Sequence, residues 1–425
     1  MMTSTALDAP ATPDTSAPPT AAPDTSAPPA ALDVRAAPDT STPLTALEAA
    51  APSDAAASPT ATAPPVTATH PERKAPAFQE PDAAPEPPSA AAEILRRCRE
   101  LAAPALAEAT GSLHPWLAEM AGYAFGRCEV GGAPADHGQG KGVRQALAVL
   151  GAQIVSGPPE AGVPGAVAVE LVHVFSLLHD DIMDGDALRR GRPAVWKAYG
   201  TGPAVLAGDA LFALAVQTVA VTPQAGPAVR QLTSALGDLV HGQAEDLLFA
   251  DRPWTGPDAV GVAEYELMAE RKTGALLGCA LALGARLAGA PEATVTVLDR
   301  AGRHLGVAFQ IADDVLGIWG DPEVTGKPVH SDLRQGKKTL PVLAALGGAG
   351  YGELDELLTE AHALDAAGVR RATALIERAG GRATAVREAR RHLAAADALL
   401  AEAALVPGPA EELRTVLSAL ADRAV

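Results

Sequence analysis

Two acidic stretches, each with cations beside it, are where this chain could do chemistry. Residues 170–192 read ELVHVFSLLHDDIMDGDALRRGR, an apolar run that ends in four acids within seven residues and then turns basic. On a helix, steps of three and four place Glu170, His173, Leu177, Asp180, Asp181 and Asp184 on one face. Asp180 and Asp184 are one turn apart, so both carboxylates can reach one point off the helix surface. Two carboxylates presented together need a cation between them. A hard divalent ion such as Mg²⁺, held by one or two carboxylates plus substrate phosphate oxygens, suits that role. Arg189, Arg190 and Arg192 follow with planar forks that match phosphate geometry. A second station lies in residues 309–341, where Gln310, Asp313 and Asp314 share a helix face by the same spacing. A polar loop with Lys327, Asp332, Lys337 and Lys338 comes after it. Acids for a metal beside cations for phosphate point to a metal-bridged phosphate substrate. The two stations could line opposite walls of one cavity.

The elements that must position these groups are helices. Residues 89–108 carry Ile94, Leu95, Cys98 and Leu101 on one face, which leaves Arg96, Arg97 and Arg99 as expected surface charge. A Gly-rich loop then leads to a helix over 143–155, with Gly140, Lys141 and Arg144 at its start. Helix N-termini present unpaired amides and favour anions, although this spacing is not that of a P-loop. Gly208 and Asp209 interrupt an apolar helix at 202–219, where close helix packing is expected. Gln243 and Asp246 lie one turn apart on a helix over 228–250, and Asp246 reads equally as a local pair or as support for the site. Lys272 and Thr273 stand in an otherwise apolar helix, an uncommon placement unless an anion is near. Helices from about 341 to 424 complete the bundle.

Composition narrows the class. Residues 1–88 hold 19 of the 37 prolines, repeat PDTS at 13–16, 23–26 and 38–41, and have Phe78 as their one aromatic. So little apolar surface cannot offset chain entropy, and a disordered tail is expected there. It lacks the basic start and apolar core of a secretory signal. Residues 89–425 read as one large all-α domain. A formal net charge of −18 argues against a nucleic-acid surface. Cys98, Cys128 and Cys279 are scattered without metal-ligand spacing and imply a reducing compartment. No apolar run is expected to reach the ~18 residues of a membrane span, so a cytoplasmic protein is expected. The chain has 26 arginines and seven lysines. Where arginine is the default cation, Lys141, Lys272, Lys327, Lys337 and Lys338 suggest positions that want a compact point charge.

Taken together, these residues resemble the trans-isoprenyl diphosphate synthase (polyprenyl synthetase) family over 89–425. DDIMD at 180–184 with RRGRP at 189–193 is similar to the family's first aspartate-rich motif, and QIADD at 310–314 with GKP, SDL and GKKTLP to its second. Gly140-Lys141-x-x-Arg144, His173, Gly208-Asp209, Gln243 and Lys272-Thr273 also match family positions. The resemblance implies a helical bundle around a central cavity, usually a homodimer. It implies about three Mg²⁺ per site (Mn²⁺ as the alternative ion) between an allylic diphosphate and Asp180, Asp184 and Asp313. Asp181 is added to the catalytic set, and Arg189, Lys272, Thr273, Gln310, Lys327 and Lys337 would assist the diphosphate. Isopentenyl diphosphate would sit on Lys141, Arg144, His173 and Arg190. The expected product is a linear prenyl diphosphate. Phe175, five residues before Asp180, implies a short-chain product, geranylgeranyl diphosphate first and farnesyl diphosphate second.

Three positions depart from the family pattern. Gly317 stands where a third aspartate is frequent, Gln145 where proline is usual, and Lys197 near the usual histidine. Rival readings are a terpene cyclase, which would not need Lys141 and Arg144 as a second diphosphate seat, and a regulatory subunit, against which the intact acids count. The Ala/Pro-rich tail is similar to cargo-loading segments that bring enzymes into encapsulin shells, so docking to such a shell is one reading of residues 1–88, beside a spacer or a segment for another partner.

Overall fold

Helices form wherever the three-and-four apolar spacing runs unbroken. The computed structural model describes residues 89–138, 140–320, 330–348, 352–360 and 364–421. The tail with its docking role, and Lys327, lie outside the described residues. The helices are α1 (Ala90–Gly111), α2 (Pro115–Ala124), α3 (Val143–Gln153), α4 (Val163–Met183), α5 (Val195–Tyr199), α6 (Thr201–Ala220), α7 (Ala225–Ala250) and α8 (Val262–Ala269). After a π-helical turn at Glu270–Gly274 come α9 (Ala275–Leu287), α10 (Glu292–Trp319), α11 (Ser331–Arg334), α12 (Leu340–Leu346), α13 (Gly352–Glu360), α14 (Ala366–Arg378), α15 (Gly381–Glu402) and α16 (Pro407–Ala421). Among the described residues the only strands are β1 (Leu188–Arg189) and β2 (Arg192–Pro193), a two-residue hairpin that follows α4. The fold is all-α, as the spacing predicts.

The main core joins α1, α3, α4, α6, α7, α9 and α10 through buried Ala, Leu and Val side chains. A smaller cluster of Phe249, Tyr265, Met268, Ile311, Val315 and Leu340 ties α7, α8, α10 and α12 together beneath the second acidic station. Small residues set how closely the central helices approach. A Cβ at Gly306 on α10 would lie 2.3 Å from the Cα of Gly274, so the π turn and α10 touch backbone to backbone there. The packing expected at Gly208 is also found, and its partner is a side chain: a Cβ there would lie 2.3 Å from Nε2 of His179 on α4.

The membrane expectation needs correction. Pro159–Met183 and Thr201–Ala220 are both long and apolar enough to cross a membrane by length and composition. The first is a core helix that carries the first acidic station. The second buries Ala204, Ala207, Leu211 and Leu214 against the core while exposing Val205, Leu206 and Phe212. An Ala-rich bundle reaches this hydropathy because its helices are apolar on most of their circumference.

Substituting Gly306 tests the close crossing. Gly306→Ala is expected to destabilise the fold by about 1–3 kcal/mol in chemical denaturation, the usual cost of overpacking.

Candidate active site

The first station is built at the C-terminal end of α4. The Asp184 N–H donates to the Asp180 carbonyl (2.8 Å), so both residues sit on the last helical turn. Burial pushes the Asp180 carboxyl up to about 6; Lys272 pulls it down, while Asp184 pushes it further up. Asp181 plays a different part in the geometry. It is 2% exposed, and Arg189 Nε donates to both of its oxygens at 2.7 and 2.8 Å. This bidentate pair fastens the β1–β2 hairpin to α4. Arg189 therefore reaches the first motif through Asp181.

The hairpin turn aims Arg190 elsewhere. Arg190 and Gly191 both adopt positive φ, 53° and 75°, as a two-residue hairpin turn requires. Arg190 lies close over Gly140, where a Cβ would lie 2.7 Å from its Nη2. Arg99 Nη1 donates to the Gly140 carbonyl at 3.2 Å. Sequence reasoning missed Arg99 and left it on the surface, since its partner is 41 residues away and helix periodicity carries no sign of it. Lys141 and Arg144 stand at the start of α3, and Arg144 Nε is buried with no hydrogen-bond partner. Burial holds the Arg144 guanidinium below its usual range, while Glu170 and Asp313 support its charge. Burial pushes the Glu170 carboxyl up against the pull of Arg144, Arg190 and Arg99. His173 is held well below its usual range by burial and then by Arg144, Arg190 and Arg189, so it is neutral at physiological pH. A buried guanidinium donor left unpaired among arginines is a seat for a multiply charged anion.

Lys272 and Thr273 lie on the π turn, a helical irregularity frequent at functional sites. Lys272 Nζ pairs with Asp246 Oδ2 on α7 at 2.6 Å, which settles Asp246 as a partner of the lysine. Thr273 Oγ1 donates to Gln310 Oε1 at 2.8 Å, joining the turn to α10. Gln243 is buried, and both atoms of its amide lack partners.

In the second station the two aspartates divide. Asp314 is 4% exposed and accepts from Tyr265 OH (2.5 Å), the Leu340 N–H (3.0 Å) and Gln310 Nε2 (3.1 Å). Burial still raises its carboxyl to about 7. It pins α12 to α10. Asp313, its neighbour on α10, is exposed. The stations converge as expected: Lys337 Nζ lies 3.1 Å from Asp184 Oδ2, and the charge of Asp313 reaches Arg144.

These groups fit magnesium. The candidate ligands Asp180, Asp184 and Asp313 are hard oxygen donors on two walls. Among the described residues no three His, Cys, Asp or Glu side chains form a metal cage by themselves. That suits Mg²⁺, which keeps waters and takes phosphate oxygens to complete its octahedron. Asp180→Asn tests the assignment. Its activity is expected to fall about 10²–10³-fold, the usual cost of losing a charge-stabilising group. The raised carboxyl means that ionised Asp180 opposes folding above pH about 6. In EDTA the variant is therefore expected to melt higher than the wild type at pH 8, with the gap closing as the pH falls from about 6 toward 3.8.

Comparison with known proteins places these residues. The polyprenyl synthetase family profile matches residues 134–376. The farnesyl diphosphate synthase of Mycobacterium tuberculosis is 41% identical over 337 residues, 78% of this chain and 92% of the relative. The geranylgeranyl diphosphate synthase of the same organism is 46% identical over 319 residues, 74% of this chain and 90% of the relative. A crystal structure of a polyprenyl synthetase from Streptomyces coelicolor superposes with a TM-score of 0.72 at 47% identity, covering 78% of this chain and 99% of that one. The chain belongs to the polyprenyl synthetase family, a family of trans-prenyltransferases.

Proposed function

We propose that this enzyme condenses isopentenyl diphosphate with an allylic diphosphate to give geranylgeranyl diphosphate. One observation carries the reading: there are two anion seats of different chemistry side by side. Arg99, Lys141, Arg144, Arg190 and neutral His173 form a metal-independent cationic seat around the unpaired Arg144 Nε. Asp180, Asp184 and Asp313, with Lys272 and Lys337, form an acidic seat that requires a divalent cation. A cyclase, with one diphosphate to hold, has no use for the first.

The mechanism follows from the seats. Bound Mg²⁺ would supply the positive charge that stabilises the allylic diphosphate as its carbon–oxygen bond breaks. Lys272 and Lys337 stand beside the first motif to share that charge, and Thr273 and Gln310 orient the group between them. The cationic seat holds isopentenyl diphosphate by its anionic end, which leaves its double bond to attack the allylic cation. A carbon–carbon bond forms, and the proton lost from the adduct passes to the departed diphosphate. His173, neutral in its field of arginines, donates or accepts a hydrogen bond without adding charge.

Product length would be set below the first motif. Phe175 packs edge-on to His179 with centroids 4.8 Å apart, and its ring would stand in the path of a growing chain. The farnesyl product is the second reading, because relatives of both names match over most of the chain. We also propose a homodimer, in which Val205, Leu206 and Phe212 of α6 and Val240, Leu247 and Leu248 of α7, all exposed, are covered by a second copy.

The purified protein incubated with isopentenyl diphosphate, dimethylallyl, geranyl or farnesyl diphosphate and Mg²⁺ is expected to yield a linear twenty-carbon diphosphate. A cyclic hydrocarbon, or no product from any primer, would sink the proposal. Phe175→Ala is expected to lengthen the product by at least one five-carbon unit in the same chromatographic assay. Light scattering is expected to give twice the chain mass, and Leu206→Glu a shift toward the monomer.

A further inference from the structure

Lys337 and Lys338 are adjacent in the chain, yet their ammonium groups go to different partners. Lys337 Nζ lies 3.1 Å from Asp184 Oδ2 at the first station. Lys338 is 8% exposed, and its Nζ sits over the Trp254 ring, 3.5 Å from the centroid. Among the described residues that ring is its partner, and no carboxylate pairs with it. Burial holds the Lys338 amine down at about 8, with the charge of Asp251 at the end of α7 pulling the other way. A buried lysine without an acid is costly unless another group answers its charge. The indole face does so here, because an aromatic quadrupole attracts a desolvated cation.

Trp254 is a fixed plate. It belongs to the connection between α7 and α8, which Arg252 staples from within. Arg252 Nε donates to the Asp258 carbonyl at 2.8 Å, and its Nη2 to the Ala259 carbonyl at 2.7 Å. Thr255 Oγ1 donates to Asp355 Oδ2 on α13 at 2.9 Å. The Trp254 side chain itself packs on a buried apolar cluster that includes Ile318 of α10, Leu333 of α11 and Leu354 of α13.

The lysine segment is equally confined. The Thr339 N–H donates to the Lys337 carbonyl at 3.0 Å, a three-residue turn with Lys338 at its apex. The Lys337 N–H donates to the Asp332 carbonyl and the Leu340 N–H to Asp314 Oδ2, both at 3.0 Å. A side chain anchored at the apex of so short a turn fixes the direction of its neighbour.

We infer that Trp254 is a positioning residue for the reaction: by holding Lys338 at the apex of this turn, it sets the Lys337 ammonium beside the first acidic station. Trp254 acts only through the lysine segment. Its effect falls on the charge that Lys337 lends to the departing diphosphate, and the cationic seat for isopentenyl diphosphate is left alone. The inference rests on the diphosphate chemistry proposed above and adds to it a residue of the α7–α8 connection.

Steady-state kinetics at pH 7, where the Lys338 amine carries its charge, test the arrangement. The variants are Trp254→Leu, Lys338→Met, the two combined, and Trp254→Phe. Each single loss is expected to lower kcat about 5–30-fold, the equivalent of one desolvated cation–π contact, with KM for isopentenyl diphosphate unchanged. The double variant is expected to fall no further than either single one, because both changes remove the same contact. Trp254→Phe keeps an aromatic face and is expected to retain most of the wild-type rate. Circular dichroism melts identify the folded variants; where Trp254→Leu does not fold, Lys338→Met and Trp254→Phe carry the comparison. A folded Trp254→Leu or Lys338→Met with wild-type kcat would overturn the inference. So would losses that multiply in the double variant, or a KM for isopentenyl diphosphate that rises in step. A wild type that forms no prenyl product would count against the proposed reaction alone. The placement of Lys337 is then read by lysine-selective NMR, as the shift of its resonance on adding Mg²⁺ and inorganic pyrophosphate. That shift is expected in the wild type and lost in Lys338→Met, and an equal shift in both would overturn the inference.

Discussion

Carboxylates from α4, α7 and α10 are gathered near one another, and their mutual repulsion is the constraint around which the site is arranged. The Asp180 carboxyl is lifted to about 6 chiefly by burial, with Asp184 adding to the rise against the pull of Lys272. Two devices offset it. Lysines from the π turn and from the segment after α11 stand among the acids, on Asp246 and Asp184. The remaining acids are diverted into structural roles: Asp181 takes Arg189, and Asp314 takes Tyr265, Gln310 and the Leu340 N–H.

The same division explains why each motif carries adjacent aspartates. In both pairs the second member anchors a neighbouring segment: Asp181 fixes the hairpin that carries Arg190, and Asp314 fixes the start of α12. Each station thus builds its own scaffold with one carboxylate of its pair. Buried carboxylates that accept several hydrogen bonds are costly unless all their lone pairs are used, and both are well supplied.

Much of this was legible in the sequence because helix periodicity reports which residues share a face. It placed Asp180 with Asp184 on the last turn of α4, and Gln310 with Asp314 on α10. Periodicity says nothing about partners on other elements. Arg99 looked like surface because its contact is a backbone carbonyl in a distant loop. The pairing of Arg189 with Asp181 was hidden for the same reason. The hydropathy of α4 and α6 was underread because short-range motifs drew attention to their polar ends. Asp246 stood open between two readings until the register of the π turn decided it.

That turn has a mechanical consequence. A π turn holds one residue more than a regular one, so α8 and α9 form a continuous rod whose two halves are rotationally out of phase. The rod can therefore address two neighbours that a regular helix would address only one at a time. Tyr265 in the first half points at Asp314 on α10, and Lys272, at the slip, points at Asp246 on α7. Thr273, one residue later, turns back to α10. Losing a single residue here would restore a uniform helix and rotate everything upstream of the slip relative to α9. Chain length in this segment is thus fixed to the residue.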